Sequence, residues 1–147
     1  MDYENDRGDS ALYQDPRSDA ADSAPDHFIK VDGEEYAGRH FIIDLFGARN
    51  LDDQETIDRA FRDCVETCGA TLLHIHLHRF TPYGGISGVA VLAESHISIH
   101  TWPERDYAAL DVFMCGDADP EKSIDILRAA FRPERVDVRN LLRGAAA

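Results

Sequence analysis

Three stretches of strict period-two alternation commit this chain to a sheet. From Thr71 to Phe80, Leu73, Ile75 and Leu77 alternate with His74, His76 and His78. From His96 to His100, Ile97 and Ile99 alternate with His96, Ser98 and His100. From Tyr107 to Met114, Leu110, Val112 and Met114 stand opposite Ala109, Asp111 and Phe113. Period two puts one set of side chains on each face of a strand, so each stretch has one face to bury and one to leave open. The run His40-Phe41-Ile42-Ile43-Asp44-Leu45-Phe46 reads as a further, largely buried strand, and Gly88 to Ala93 as another. Val136 and Val138 belong to a last one.

Two segments carry the helical period instead. Asp52 followed by Glu55 resembles a capping box with Leu51 as the staple residue. Ile57, Phe61, Cys64, Val65 and Cys68 then repeat at helical spacing until Gly69 stops the helix. Asp119-Pro120 is an N-cap followed by proline at the first helical position, with Ile124, Leu127 and Phe131 as the inner face. The order is strand, helix, four strands, helix, strand. Short turns between neighbouring strands imply a two-layer α+β sandwich, a mainly antiparallel sheet with both helices packed on one face. The other face is left to water or to another subunit.

Residues 1 to about 35 are rich in Asp, Ala, Ser and Arg and poor in large apolar residues. They bury too little to offset their ordering entropy and are expected to form a disordered acidic tail ahead of a single domain, 36–147. The formal net charge of −13 leaves no basic stripe for a phosphate backbone and excludes a nucleic-acid partner. No stretch approaches the roughly 20 apolar residues of a membrane span. The N-terminus has neither the basic start nor the apolar segment of a secretory signal. Cys64, Cys68 and Cys115 make no even disulfide framework, so the protein is expected to be cytoplasmic.

The chemistry-bearing residues gather in the middle of the chain. Glu94-Ser95-His96 follows the apolar run Val89–Ala93 with no Gly or Pro between them, and Ser87, His100 and Cys115 lie on or beside the neighbouring strands. A Ser or Cys beside a His first suggests a hydrolase. Gly85-Ile86-Ser87-Gly88 is not followed by a helix, however, and so is no nucleophile elbow. There is no Gly-rich phosphate loop either. Three imidazoles on one strand, His74, His76 and His78, invite a metal reading, but a polar sheet face, at a subunit contact or open to water, is the more ordinary account of them.

Taken together, several strings resemble the short prokaryotic S-adenosylmethionine decarboxylase proenzymes. They are Gly38-Arg39-His40, His78-Arg79-Phe80-x-Pro82-x-Gly84, Ser87-Gly88-Val89, Glu94-Ser95-His96 with His100-Thr101-Trp102-Pro103-Glu104, and Asp111-x-Phe113-x-Cys115-Gly116. The resemblance covers about residues 38 to 140. One departure is Tyr83-Gly84-Gly85-Ile86-Ser87, a residue longer than the family's Tyr-Gly-Val-Ser and placed at the expected pocket entrance.

The resemblance implies self-cleavage between Glu94 and Ser95. Ser95 Oγ attacks the Glu94 carbonyl, and an N-to-O acyl shift through an oxyoxazolidine gives an ester. Elimination and hydrolysis then leave a pyruvoyl group at the head of residues 95–147. Such a group answers a real need, because decarboxylation of an α-amino acid requires an electron sink. The chain's lysines, Lys30 and Lys122, are poorly placed to hold a pyridoxal cofactor. By the same resemblance Ser87 stabilises the oxyoxazolidine, and His100 takes the proton in the elimination. Cys115 reprotonates the product carbon. Phe80 stacks on adenine, with Phe41 a weaker candidate, and Glu104 binds the ribose. The substrate is S-adenosylmethionine, decarboxylated for spermidine and other polyamines, by a homodimer whose protomers help build each other's sites. Two other readings stay open at this level. The same self-processing fold could act on arginine or ornithine, or the chain could be a non-enzymatic metal-binding module using His74, His76 and His78.

Overall fold

In the computed structural model, which describes residues 27–145 and 147, the alternating stretches are strands of one antiparallel sheet. The elements are β1 (Ile29–Val31), β2 (Glu34–Tyr36), β3 (Gly38–Phe46), α1 (Gln54–Cys68), β4 (Leu72–Arg79), β5 (Ile86–Leu92), β6 (Ser95–Trp102), β7 (Tyr107–Met114), α2 (Ser123–Phe131) and β8 (Arg135–Arg143). Strands β3 to β8 form the sheet in the order β4-β5-β6-β7-β3-β8. Strands β4 to β7 make a continuous meander, as their short turns require, and β3 closes against β7 with β8 on its far side. Both helices lie on one face, the two-layer arrangement expected from the pattern of elements.

The core lies between that face and the helices. Ile43, Leu45, Ile97, Ile99, Leu110 and Val112 come from the sheet, and Ile57, Phe61, Leu127 and Phe131 from the helices. Each such side chain contributes about 1.5–3 kcal/mol by leaving water. Cys64 and Cys68 are buried on the inner side of α1 as free thiols, packing rather than bridging. Gly88 lets β5 lie close to β4, since a Cβ there would stand 2.7 Å from the His76 carbonyl oxygen and closer still to Leu77.

Several boundaries differ from expectation. The N-cap of α1 is Asp53, not Asp52: its carboxylate accepts the Thr56 N–H at 3.3 Å and the Thr56 hydroxyl at 2.8 Å. Thr56 stands three residues on, where a capping partner belongs, so the carboxylate that meets two donors sets the register. On β4 the inward residues are Leu72, Ile75 and Leu77, because a register shift between Leu72 and His74 moves Leu73 out of line. Of the expected tail, residues 1–26 lie outside the described residues. Ile29–Val31 and Glu34–Tyr36 pair as a hairpin across Asp32-Gly33, both at positive φ. Asp-Gly is a strong hairpin-turn signal, and it prevails here over polar composition.

The face away from the helices is open. Across its middle, His40 Nε2 and His96 Nε2 meet Asp111 Oδ2 at 2.5 and 2.8 Å, and Ser98 donates to the other carboxylate oxygen. Burial alone would raise the Asp111 carboxyl, but the hydrogen bonds from Ser98, His96 and His40 outweigh it and hold the group below its ordinary value of 3.8. A carboxyl lowered by folding stabilises the protein above its unfolded pKa, and that stability disappears as pH falls through the folded value. Asp111→Asn is therefore expected to cost about 1–3 kcal/mol at neutral pH. Denaturant midpoints should show the gap between variant and wild type closing as the pH falls below 4 and further.

Candidate active site

The residues singled out by sequence separate into two groups at opposite ends of β6. The first is at the tight turn from β5 to β6, where Leu92 pairs with Ser95 and Ala93-Glu94 make the bend. Glu94 sits at φ 64, a left-handed conformation that costs a non-glycine residue about 1–2 kcal/mol. The strain therefore lies on the residue immediately before Ser95, whose carbonyl the expected self-cleavage would have the Ser95 hydroxyl attack. Cys115, just past the end of β7, touches both partners. Its thiol donates to the Glu94 carbonyl oxygen at 3.1 Å, and its N–H donates to Ser95 Oγ at 3.3 Å. Burial first, and the nearby Glu94 charge second, raise the Cys115 thiol above its ordinary value, with the Ser95 contact opposing them. Cys115 therefore carries its proton at neutral pH. A strained carbonyl with a donor on its oxygen and a hydroxyl alongside fits a group built from Ser95.

The second group lies at the far end of the same strand. Ser87 on β5 is directly opposite His100 on β6, and Ser87 Oγ shares a hydrogen bond with His100 Nδ1 at 2.9 Å. A pocket of about 230 Å³ beside them is lined by Phe80, Tyr83, Ser87, His100, Trp102 and Glu104, among others. The loop from Phe80 to Gly85 forms its wall and closes on itself, with the Phe80 N–H bonded to the Gly85 carbonyl and the Gly84 N–H to the Phe80 carbonyl. Both glycines of this longer loop have structural work. Gly84 turns at φ 76, and Gly85 passes so close to Thr101 that a Cβ would stand 2.8 Å from its carbonyl oxygen. The result leaves Phe80 51% and Tyr83 71% exposed at the rim. Trp102, which sequence reasoning passed over as a lining residue, stacks on Tyr107 at 5.3 Å. Its place was legible in the alternation, two residues after His100 on the same face.

Five residues of extended chain separate Ser95 from His100. At about 3.3 Å each, the two groups are about 16 Å apart along the chain. Ser95 thus has the cysteine but not the Ser87–His100 pair. Phe41 joins neither group: at 4% exposure it points into the core, which takes it out of the candidate site. Nor do His74, His76 and His78 converge. Among the described residues, the side chains close enough to share an ion are His40, His96 and Asp111.

Comparison with known proteins bears on all of this. The family profile described as S-adenosylmethionine decarboxylase matches residues 39–144. An S-adenosylmethionine decarboxylase proenzyme of Thermomicrobium roseum is 48% identical over 108 residues, 73% of this chain and 93% of the relative. One from Methanococcus maripaludis is 49% identical over 110 residues, 73% of this chain and 89% of the relative. The crystal structure of the adenosylmethionine decarboxylase of Aquifex aeolicus superposes with a TM-score of 0.68 at 34% identity, covering 76% of this chain and 94% of that one.

Proposed function

The chain belongs to the S-adenosylmethionine decarboxylase family, and on that premise we propose that it cuts itself between Glu94 and Ser95 and then decarboxylates S-adenosylmethionine for polyamine synthesis. The observation that carries the cleavage site is the junction itself, a left-handed Glu94 whose carbonyl and neighbouring hydroxyl are both held by Cys115. A pyruvoyl group formed there supplies the electron sink that α-decarboxylation needs. The chain's own residues do the rest. Cys115, kept protonated by burial and by Glu94, delivers a proton to the product α-carbon. Phe80 offers an exposed ring to a purine, and Glu104 on the same pocket wall offers a carboxylate to ribose hydroxyls. A flat ring and a diol acceptor in one pocket suit a nucleoside and have no task on arginine or ornithine. A decarboxylation assay across the three substrates tests this, with turnover expected on S-adenosylmethionine alone.

The separation of about 16 Å between Ser95 and His100 supports a two-fold dimer. Pairing of the open sheet faces would bring one protomer's Glu94–Ser95 turn toward the other's Ser87–His100 pair. Val91 at 41% and Leu141 at 48% exposure give that face apolar area to bury. There Ser87 would steady the tetrahedral adduct formed from Ser95, and His100 would remove the Ser95 α-proton in the elimination.

Cys115→Ala separates cleavage from turnover. It is expected to cut itself up to about 10-fold more slowly, since a thiol is a weak donor to the Glu94 carbonyl. Decarboxylation by the cut protein should fall much further, because alanine has no proton to deliver to the product carbon. Gel densitometry of the 1–94 fragment and carbon dioxide release measure the two effects separately.

A further inference from the structure

The family match begins at residue 39, so His27 and the β1–β2 hairpin belong to an arm ahead of it. That arm reaches the cleavage junction. The His27 carbonyl accepts the N–H of Gly116, the residue after Cys115, at 2.8 Å. Its imidazole Nε2 lies 3.8 Å from Glu94 Oε1. Gly116 admits the approach: it turns at φ 60, and a Cβ there would stand 3.3 Å from His27 Nδ1. Beneath the arm runs a cavity of about 370 Å³ lined by Phe28, Ile29, Lys30, Arg39 and Asp117, among others. The far end of the arm is tied by the Ala37 N–H to the Arg143 carbonyl at 2.7 Å.

The cleavage chemistry accumulates negative charge on Glu94. Attack by Ser95 Oγ on the Glu94 carbonyl carbon moves an electron pair onto the carbonyl oxygen. Collapse of the adduct breaks the C–N bond, with a proton going to the Ser95 nitrogen. In the elimination a base takes the Ser95 α-proton, the C–H electrons form the Cα=Cβ bond, and the Cβ–Oγ pair departs with the Glu94 carboxylate. Each charge forms on a residue whose side chain is already anionic, and like charge opposes it. We propose that His27 is a positioning residue for self-cleavage: it holds the Glu94 side chain in the left-handed turn and offsets its charge while the main-chain carboxylate forms. The proposal rests on cleavage between Glu94 and Ser95.

The test is a charge series at one exposed position in the full chain. Wild type, His27→Lys, His27→Gln and His27→Glu are made by cell-free synthesis, and the appearance of the 1–94 fragment is timed on denaturing gels. The rate is expected to be at least the wild-type value in His27→Lys, about 2- to 5-fold lower in His27→Gln and lower again by a similar factor in His27→Glu, the range exposed ion pairs support. The spread should shrink in about 1 M salt. Equal rates in all four, or equal slowing by Lys and Glu, would overturn the role of charge at His27 while leaving cleavage intact. A wild-type chain that never cuts would overturn the cleavage reading itself, and the proposal with it.

Discussion

Ser95→Ala is expected to run as one chain of 147 residues where the wild type runs as two, 1–94 and 95–147. The loss should be complete rather than partial. In the proposed cleavage the Ser95 hydroxyl is both the nucleophile that makes the ester and the source of the Cβ–O bond broken in the elimination, and alanine supplies neither. The other serine of the two groups is no substitute: Ser87 lies on β5, opposite the far end of β6, and is engaged with His100. The fold should survive, because Ser95 only accepts a single backbone N–H, from Cys115 at 3.3 Å, and lies at a strand end. Intact mass of the purified variant and of the wild type decides the matter. Decarboxylation should vanish together with cleavage. A wild-type protein that stays whole after prolonged incubation would refute the self-processing proposal at its root.

The second large effect is recovery from two defective chains. His100→Ala by itself is expected to stop at the ester, with hydroxylamine releasing the fragments. Co-expressed with Ser95→Ala, the His100→Ala chain should regain self-cleavage. The physical reason is distance: about 16 Å of strand separates Ser95 from the His100 on its own chain, too far for a proton transfer. A Ser95→Ala partner still carries an intact Ser87–His100 pair and would lend it across the two-fold axis. Random pairing then leaves about half of the His100→Ala chains in mixed dimers able to cut. The Ser95→Ala chain stays whole throughout, which makes the products easy to assign by mass. No recovery in a demonstrably mixed population would mean that each protomer cleaves with its own residues, and the shared-site reading would fail.

Much of the architecture was legible before any coordinates. Period-two alternation at Thr71–Phe80, His96–His100 and Tyr107–Met114, set against helical spacing in 57–68 and 124–131, is enough to specify one sheet with two helices on one side. These signals are local, and the burial of each inner face enforces them. The proposed cleavage junction was singled out as well, but through the specific string around Glu94-Ser95-His96 and not through any turn signal. Nothing in Ala93-Glu94 announces a bend; the bend follows because β5 and β6 must pair, and Glu94 is pushed to positive φ as a result. The Asp32-Gly33 hairpin was written in the chain too, yet acidic composition masked it. Phe41 shows the opposite error: on a strand one ring looks like the next until its facing is known, and Phe41 faces inward.

By itself, then, the sequence determined which segments are strands, which are helices and which neighbouring strands are joined by short turns. Hydrophobic period, caps and turn residues act over a few positions and need no knowledge of the remainder. It also supplied the chemical inventory of nucleophile, imidazole, thiol, aromatic ring and carboxylate. What only the tertiary structure decided is how those groups are divided. Cys115 is twenty residues from Ser95 in the chain and in hydrogen-bond contact with it, because β6 and β7 are antiparallel neighbours. His100 is five residues from Ser95 and about 16 Å away, because an extended strand stretches short sequence separation into distance. Likewise His27, sixty-seven positions before Glu94, stands beside it through the arm that crosses the end of β7. Antiparallel pairing makes remote residues neighbours and a single strand makes near ones strangers. For that reason the candidate reacting groups could be named from the chain, but their neighbours could be assigned only from the fold.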